Sequence, residues 1–392
     1  MAFRSFLSCS VFGLGLLAAT APAQACTSLL YTDANGKVYQ GRTMELTGNL
    51  PYQLAYFPAG QQFESDLGDG HPPLTYRSRY AMFGITMPDV APDGSEQPTL
   101  EDLKLLDGQN EAGLSFGILA YPTAAGPQVQ IEMTRAVLDA IDLGTWALGQ
   151  FATVAEVKAA LAEQPLVLAP VRALRGAEPP FHYILYDRSG ASIVIEFEGG
   201  QETVYDNPVG VMTNGPPFSW HLTNLGNYSH LTNLDRSVGR FGNYEVRQPD
   251  SGIATAGLPS SDTSTGRFVR AAFYATYAEK VEDPDRAVRT LAHVMNNFDR
   301  PRGVSVDSGG EGDTLTQGLG LEAEAATEYT TWTKLADLER GLYFVRTYEG
   351  LNYAMFDLAE LATHDGPLVM PLAAVDGMGS DGVGAMLRAG GR

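Results

Sequence analysis

Apolar and polar positions first fall into short alternating runs. Residues 27–32 (Thr-Ser-Leu-Leu-Tyr-Thr) read as a strand, Asp33-Ala34-Asn35-Gly36 as a turn, and 37–44 as the return strand. Asn-Gly is a strong hairpin signal, because the tight turn needs positive φ at its central positions. Residues 83–87 and 113–121 are further strand candidates. Residues 181–187 and 191–197 alternate around Asp187-Arg188-Ser189-Gly190, a second hairpin. Elsewhere the spacing is helical. Residues 130–143 carry Ile131, Val137, Leu138 and Ile141, and Thr153 with Glu156 forms a capping box that opens a helix to about Leu161. Residues 268–281 and 284–298 also read as helices, the second capped by Asp283 with Pro284 at its first position. Residues 328–334 and 341–348 return to strand.

Strands, then helices, then strands predict an α+β fold of antiparallel sheets covered by helices, not alternating βαβ units. No internal repeat and no linker divides the chain. The longest irregular stretches, 58–79, 88–99, 248–263 and 302–325, read as binding loops or lids. The Gly-rich residues 377–392 read as a frayed tail.

The first 25 residues break this pattern. Arg4 precedes an apolar run from Val11 to Ala19, and Ala23-Gln24-Ala25 is the small-x-small pattern of a signal-peptidase site. The run is too short for a membrane-spanning helix, which needs about 20 apolar residues. The expected organisation is a leader at 1–25, a catalytic domain at 26–376 and the tail, in a periplasmic or secreted protein. A formal charge of −20 argues against nucleic acid as a partner. No membrane span is expected.

Two cysteines are present, Cys9 and Cys26. Cys9 would leave with the leader, so the mature chain would keep one thiol and form no internal disulfide. An exported protein with a single Cys calls for a reason. Here it falls directly after the expected cleavage point. A thiol is nucleophilic as the thiolate, so it needs a base or a cation beside it. A first-residue Cys carries its own base, an α-amine with an unperturbed pKa of about 7.7–8.0. N-terminal Thr enzymes use the same device.

Cys26-Thr27-Ser28 followed by Gly41-Arg42-Thr43-Met44-Glu45 resembles the opening of the choloylglycine hydrolase family, N-terminal nucleophile hydrolases that include bile salt hydrolases and penicillin V acylases. The resemblance continues in order at Asn110-Glu111-Ala112-Gly113-Leu114, Gly210-Val211-Met212-Thr213-Asn214-Gly215-Pro216 and Ser264-Thr265-Gly266-Arg267-Phe268-Val269. It closes at Glu328-Tyr329-Thr330 and at 343–348. It implies a four-layer αββα sandwich. It also implies Cys26 as nucleophile, Arg42 beside the sulfur, Asn214 as oxyanion donor and Arg267 as support for the charge network. Glu45 stands where the family usually has an aspartate that holds the α-amine. Ala120 stands where bile salt hydrolases carry an asparagine, so the second oxyanion donor would be a backbone N–H near Ala120 or Tyr121. That departure leans towards a penicillin V acylase or N-acyl homoserine lactone acylase, with conjugated bile salt hydrolysis as the alternative. Met44, Met82, Phe83 and Tyr121 are candidate walls for an apolar or aromatic acyl group, and loops 58–79 and 248–263 are expected to shape specificity. No cofactor is expected, and a homo-oligomer, often a tetramer in the family, is implied by the resemblance alone.

Three rival readings stand beside this one. A lipoprotein would use Cys26 as an acylated anchor with a binding module behind it, although Gln24 fits a lipobox poorly. Gly113-Leu114-Ser115-Phe116-Gly117 matches the serine-hydrolase elbow, which requires a helix after the serine. The six histidines form no i, i+4 pair and lie at no zinc spacing from Cys26, so no essential metal is expected.

Overall fold

The structure is a computed structural model that describes residues 25–127, 131–308, 314–321, 325–377 and 381–390. The expected leader lies outside them apart from Ala25. Two large antiparallel sheets form the centre. The six-stranded sheet runs, in spatial order, Val211–Met212, Cys26–Thr32, Val38–Leu46, Tyr329–Asp337, Leu342–Thr347 and Ala354–Asp357. The eight-stranded sheet runs Gln201–Asp206, Ser192–Glu198, Phe181–Tyr186, Ser115–Ala120, Leu103–Asn110, Met82–Pro88, Gln53–Phe57 and Leu368–Pro371. Helices Ser264–Tyr277 and Pro284–Met295 cover the first sheet, and Leu143–Gln150 and Val154–Leu161 cover the second. This is the expected αββα layering.

Burial on both faces follows from the layering. In the hairpin Cys26–Thr32 and Val38–Leu46, successive side chains point to opposite sides. Ser28 reaches across to the Tyr186 hydroxyl of the other sheet at 2.9 Å. Gly41 faces the helices, where a Cβ would lie 2.6 Å from Met295 Sδ. A glycine there lets helix Pro284–Met295 approach the strand. That helix starts as expected, with Asp283 accepting from Arg286 N at 2.7 Å and Pro284 in the first turn. The Thr153 capping box and the helix behind it are also present.

Several stretches depart from the sequence reading: the run 58–79, expected to be irregular, holds the paired strands Gln62–Ser65 and Leu74–Arg77, and 302–325 holds helix Thr314–Gly318. Of the helix expected at 130–143, residue 130 lies outside the described residues, a turn and the short strand Leu138–Asp139 occupy most of the rest, and helix begins only with the 3-10 turn Ala140–Asp142 that leads into Leu143–Gln150. That helix is buried from Leu143 to Gly149. It therefore lacks the polar face on which a helical period is read. The Gly-rich end is not simply frayed. Helix Gly382–Gly390 packs against Leu368–Pro371 and Ala354–Asp357, one edge strand from each sheet, and buries Val383 and Met386. Its glycines permit the contact: a Cβ on Gly382 would lie 2.6 Å from Phe356 Cζ.

Candidate active site

Cys26 pairs across the hairpin with Met44, and Ser28 pairs with Arg42. These side chains face the eight-stranded sheet. Met44 Sδ lies 3.6 Å from Cys26 Sγ and Arg42 Nη2 lies 3.9 Å from it. The Leu106 carbonyl at 2.9 Å, the Ile118 carbonyl and Asp107 Oδ2 at 3.3 Å hold the Arg42 guanidinium. It also lies 5.0 Å from the Trp332 ring centroid. Asp107 Oδ1 pairs with Lys334 Nζ at 3.0 Å and accepts from the Tyr343 hydroxyl at 3.1 Å. Arg42, Asp107 and Lys334 are all completely buried. Burial opposes the Arg42 charge, but Cys26 and Asp107 outweigh it and hold the group above the usual arginine range. Burial draws Lys334 below the usual lysine range, with Asp107 resisting.

The opposite face of the hairpin carries a second network. Cys26 N donates to Asn214 Oδ1 at 2.7 Å. In the full chain this nitrogen is an amide joined to Ala25, whose carbonyl accepts from Glu45 N at 2.9 Å. Arg267, in the first turn of helix Ser264–Tyr277, donates to the same Asn214 oxygen at 2.8 Å. It also donates to Thr27 Oγ1 at 2.9 Å and to the Cys26 carbonyl. Two donors on one oxygen define the orientation of the Asn214 amide. Its Nδ2 therefore faces the Ala120 carbonyl at 2.8 Å, which uses one of its two protons and leaves the other for a ligand. Ser264 Oγ braces the Asn214 backbone at both N (3.0 Å) and O (2.9 Å).

Glu45 sits in this second network, and the contact to the Cys26 nitrogen is made by Asn214. Thr330 Oγ1 donates to Glu45 Oε1 at 3.0 Å, while Oε2 has no hydrogen-bond partner. Arg300 pairs with a neighbouring acid, Glu328, at 2.7 Å. Burial pushes the Glu45 carboxyl up to about 7 against the pull of Arg267, and Glu328 up to about 7 against Arg300.

A cleft opens on the thiol. Its walls include Met44, Leu106, Ile118, Ala120, Ile141 and Leu174, so it is almost wholly apolar. Of the expected wall residues, only Met44 lines it. Met82 and Phe83 are fully buried core, and Phe83 stacks on Phe356 with centroids 4.8 Å apart. Tyr121 stacks on His182 at 4.9 Å. Its N–H donates to the Pro180 carbonyl at 2.6 Å, so it is not free to serve an oxyanion. Loops 58–79 and 248–263 supply no wall. The other two long stretches do, through Asp89, Leu315 and Leu319. Ser115 opens a strand with no helix start after it, and its Oγ donates to the Gly108 carbonyl at 3.1 Å.

Asp107, Lys334, Ser264 and the distal cleft walls escaped the sequence reading. Lys334 had a signal: a lone cation inside the Tyr-Thr-Thr-Trp-Thr-Lys-Leu strand can be buried only with a partner.

The buried acids predict a pH-dependent stability. Burial, only partial at Glu202, lifts Glu45, Glu328 and Glu202 from 4.5 to about 7, and Asp139 from 3.8 to about 7. Each folded value exceeds the unfolded one, so the folded chain keeps protons that the unfolded chain releases. The stability this supplies is complete below about pH 4 and is lost as pH rises through about 7. Burial lowers His221 to about 4, which acts oppositely but only below its usual 6.5. Thermal unfolding should therefore show Tm falling by several degrees between about pH 5 and about pH 7. A flat or rising Tm across that window would contradict ionisable burial at these four positions.

Two antiparallel sheets between helical layers, with a cysteine at the start of a central strand, define the class of N-terminal nucleophile hydrolases. The conjugated bile acid hydrolase of Clostridium perfringens, solved as a mutant, superposes with a TM-score of 0.71 at 23% identity, covering 91% of this chain and 98% of that one. The family described as linear amide C–N hydrolases, choloylglycine hydrolase family, matches residues 26–366, and the chain belongs to it. It is 27% identical over 334 residues to a bile salt hydrolase/transferase of Clostridium perfringens, covering 85% of this chain and 92% of the relative. It is 24% identical over 315 residues to the penicillin V acylase of Pectobacterium atrosepticum, covering 76% and 75%. The protein is a hydrolase of non-peptide C–N bonds in linear amides.

Proposed function

We propose that this hydrolase cleaves conjugates that join a bulky apolar acyl group to a small amine, with conjugated bile salts as the substrate class. The observation that carries the reading is the apolar cleft that ends at the Cys26 thiol. The bile salt hydrolase named above supports it over more of the chain than the penicillin V acylase does. In the proposed reaction residues 1–25 are removed outside the cytoplasm, which frees the Cys26 amine. The start of the family match at residue 26 supports that cut. The amine takes the thiol proton, and the sulfur attacks the amide carbonyl. Asn214 Nδ2 donates to the oxyanion, and the proton passes to the leaving amine. Water then cleaves the thioester, returning the thiol and releasing the acid.

The acylase reading keeps one specific support, the lack of a side-chain donor at Ala120. The processed protein should be assayed on glycocholate, penicillin V and a long-chain N-acyl homoserine lactone. Glycocholate should lead in kcat/KM by about tenfold, worth about 1.4 kcal/mol in transition-state binding. A tenfold lead for either other amide would establish an acylase instead.

A further inference from the structure

The charge cluster between the sheets extends beyond the residues that touch the thiol. Two cations, Arg42 and Lys334, share one carboxylate, Asp107. Lys334 is also held by the Gln40 side-chain oxygen and by Ser115 Oγ at 3.3 Å, both neutral. The Tyr343 phenol on Asp107 and the Tyr186 phenol on Ser28 also face the cluster, and burial raises both well out of the range in which they ionise. Tyr52 lies in the same cleft as Cys26, and burial keeps it neutral too. From the helix side the charges facing Cys26 are Arg267 and Glu45, and Arg267 feels Glu45 first and Cys26 after it. The inter-sheet cluster therefore holds one positive charge more than its carboxylate can balance. A buried unbalanced charge is costly. Lys104 and Asp89 line the same cleft, Lys104 paired with Asp142 at 2.6 Å, and the Cys26 sulfur, 3.9 Å from Arg42, is a group able to supply the balancing negative charge.

We propose that Lys334 and Asp107 are positioning residues that set the net charge facing Cys26, and that the cation surplus supplied by Lys334 is balanced by the Cys26 thiolate. Asp107 consumes one positive charge and anchors Arg42 with the Leu106 and Ile118 carbonyls. Lys334 restores the charge that Asp107 consumes. The proposal rests on Cys26 being the reactive thiol, but it concerns the sulfur's ionisation and not the substrate.

The test is the rate of iodoacetamide alkylation of the processed protein as a function of pH, with the modified residue located by mass. It requires no amide substrate, so it separates this proposal from the assignment of function. Lys334→Met should move the midpoint of the alkylation profile up by about one pH unit, the size expected for one buried charge at an effective dielectric of about 20. Lys334→Met combined with Asp107→Asn restores a surplus of one cation and should bring the midpoint back towards that of the parent. A Lys334 with only a packing role predicts otherwise: the single variant would alkylate with an unmoved midpoint, or the double variant would lie further from the parent than the single one. Either result overturns the proposal. If Lys334→Met fails to fold, Lys334→Gln keeps a polar contact to Gln40 without the charge and carries the same prediction.

Discussion

Processed protein carrying Cys26→Ala should turn over no amide. The expected fall in kcat is at least about 10⁴-fold, as for removal of a covalent nucleophile elsewhere. Thiol and methyl differ little in volume, and the other site residues hold one another without the sulfur: Arg42 through three acceptors, Asn214 through Arg267 and Ser264. Tm should therefore stay within a few degrees of the parent's. Cys26→Ser keeps an attacking atom but one much harder to ionise, and should retain only a trace of turnover. Near-parental kcat in Cys26→Ala would show that the chemistry lies elsewhere and would also exclude the proposed thioester.

The second large effect is expected at Asn214, which performs two tasks with one side chain. Its oxygen collects Cys26 N and Arg267, while its nitrogen carries the proton available to an oxyanion. Asn214→Ala should lower kcat by about 10²–10³-fold, or about 2.7–4 kcal/mol, the usual loss for one oxyanion donor. It should also lower Tm, because the buried Arg267 guanidinium loses an acceptor. Asn214→Asp separates the tasks. It keeps an oxygen for Arg267 and for the Cys26 nitrogen but removes the donor and sets an oxygen against the Ala120 carbonyl, so kcat should fall as in Asn214→Ala while Arg267 keeps its acceptor. Parallel kinetics and thermal melts on the two variants would decide the matter. An active Asn214→Asp would remove Asn214 Nδ2 from the reaction.

The opening hairpin was legible from residues 27–44 alone, because its turn chemistry and alternation agree. The helix at Leu143–Gln150 was not, since an element buried all round shows no period. Cys26 emerged from counting thiols against a cleavage pattern. Its neighbours could not be found that way. Arg42, Asp107, Asn214, Arg267 and Lys334 are scattered over almost 300 residues of chain: strand pairing sets Arg42 beside Lys334, the packing of the two sheets brings Asp107 to both, and a helix delivers Arg267. The resemblance supplied three of them, and two needed the fold. Glu45 shows the limit of motif transfer: it occupies the expected place in the sequence, while its carboxyl turns to Thr330. Cleft walls at Asp89, Leu174 and Leu315 come from separate segments with no shared pattern, so no local reading could have joined them.

Ala25 has a consequence for maturation. Its carbonyl already holds Glu45 N–H, so the strand runs one residue past the proposed cut and Cys26 is paired with Met44 while still acylated on nitrogen. Precursor and enzyme would then share one architecture and differ by a single covalent bond. A leader removed at Ala25 would withhold a lone pair: an amide nitrogen cannot accept the thiol's proton, and an amine in the same place can. The export step would thus act as a chemical safety catch on a mechanism that is already assembled.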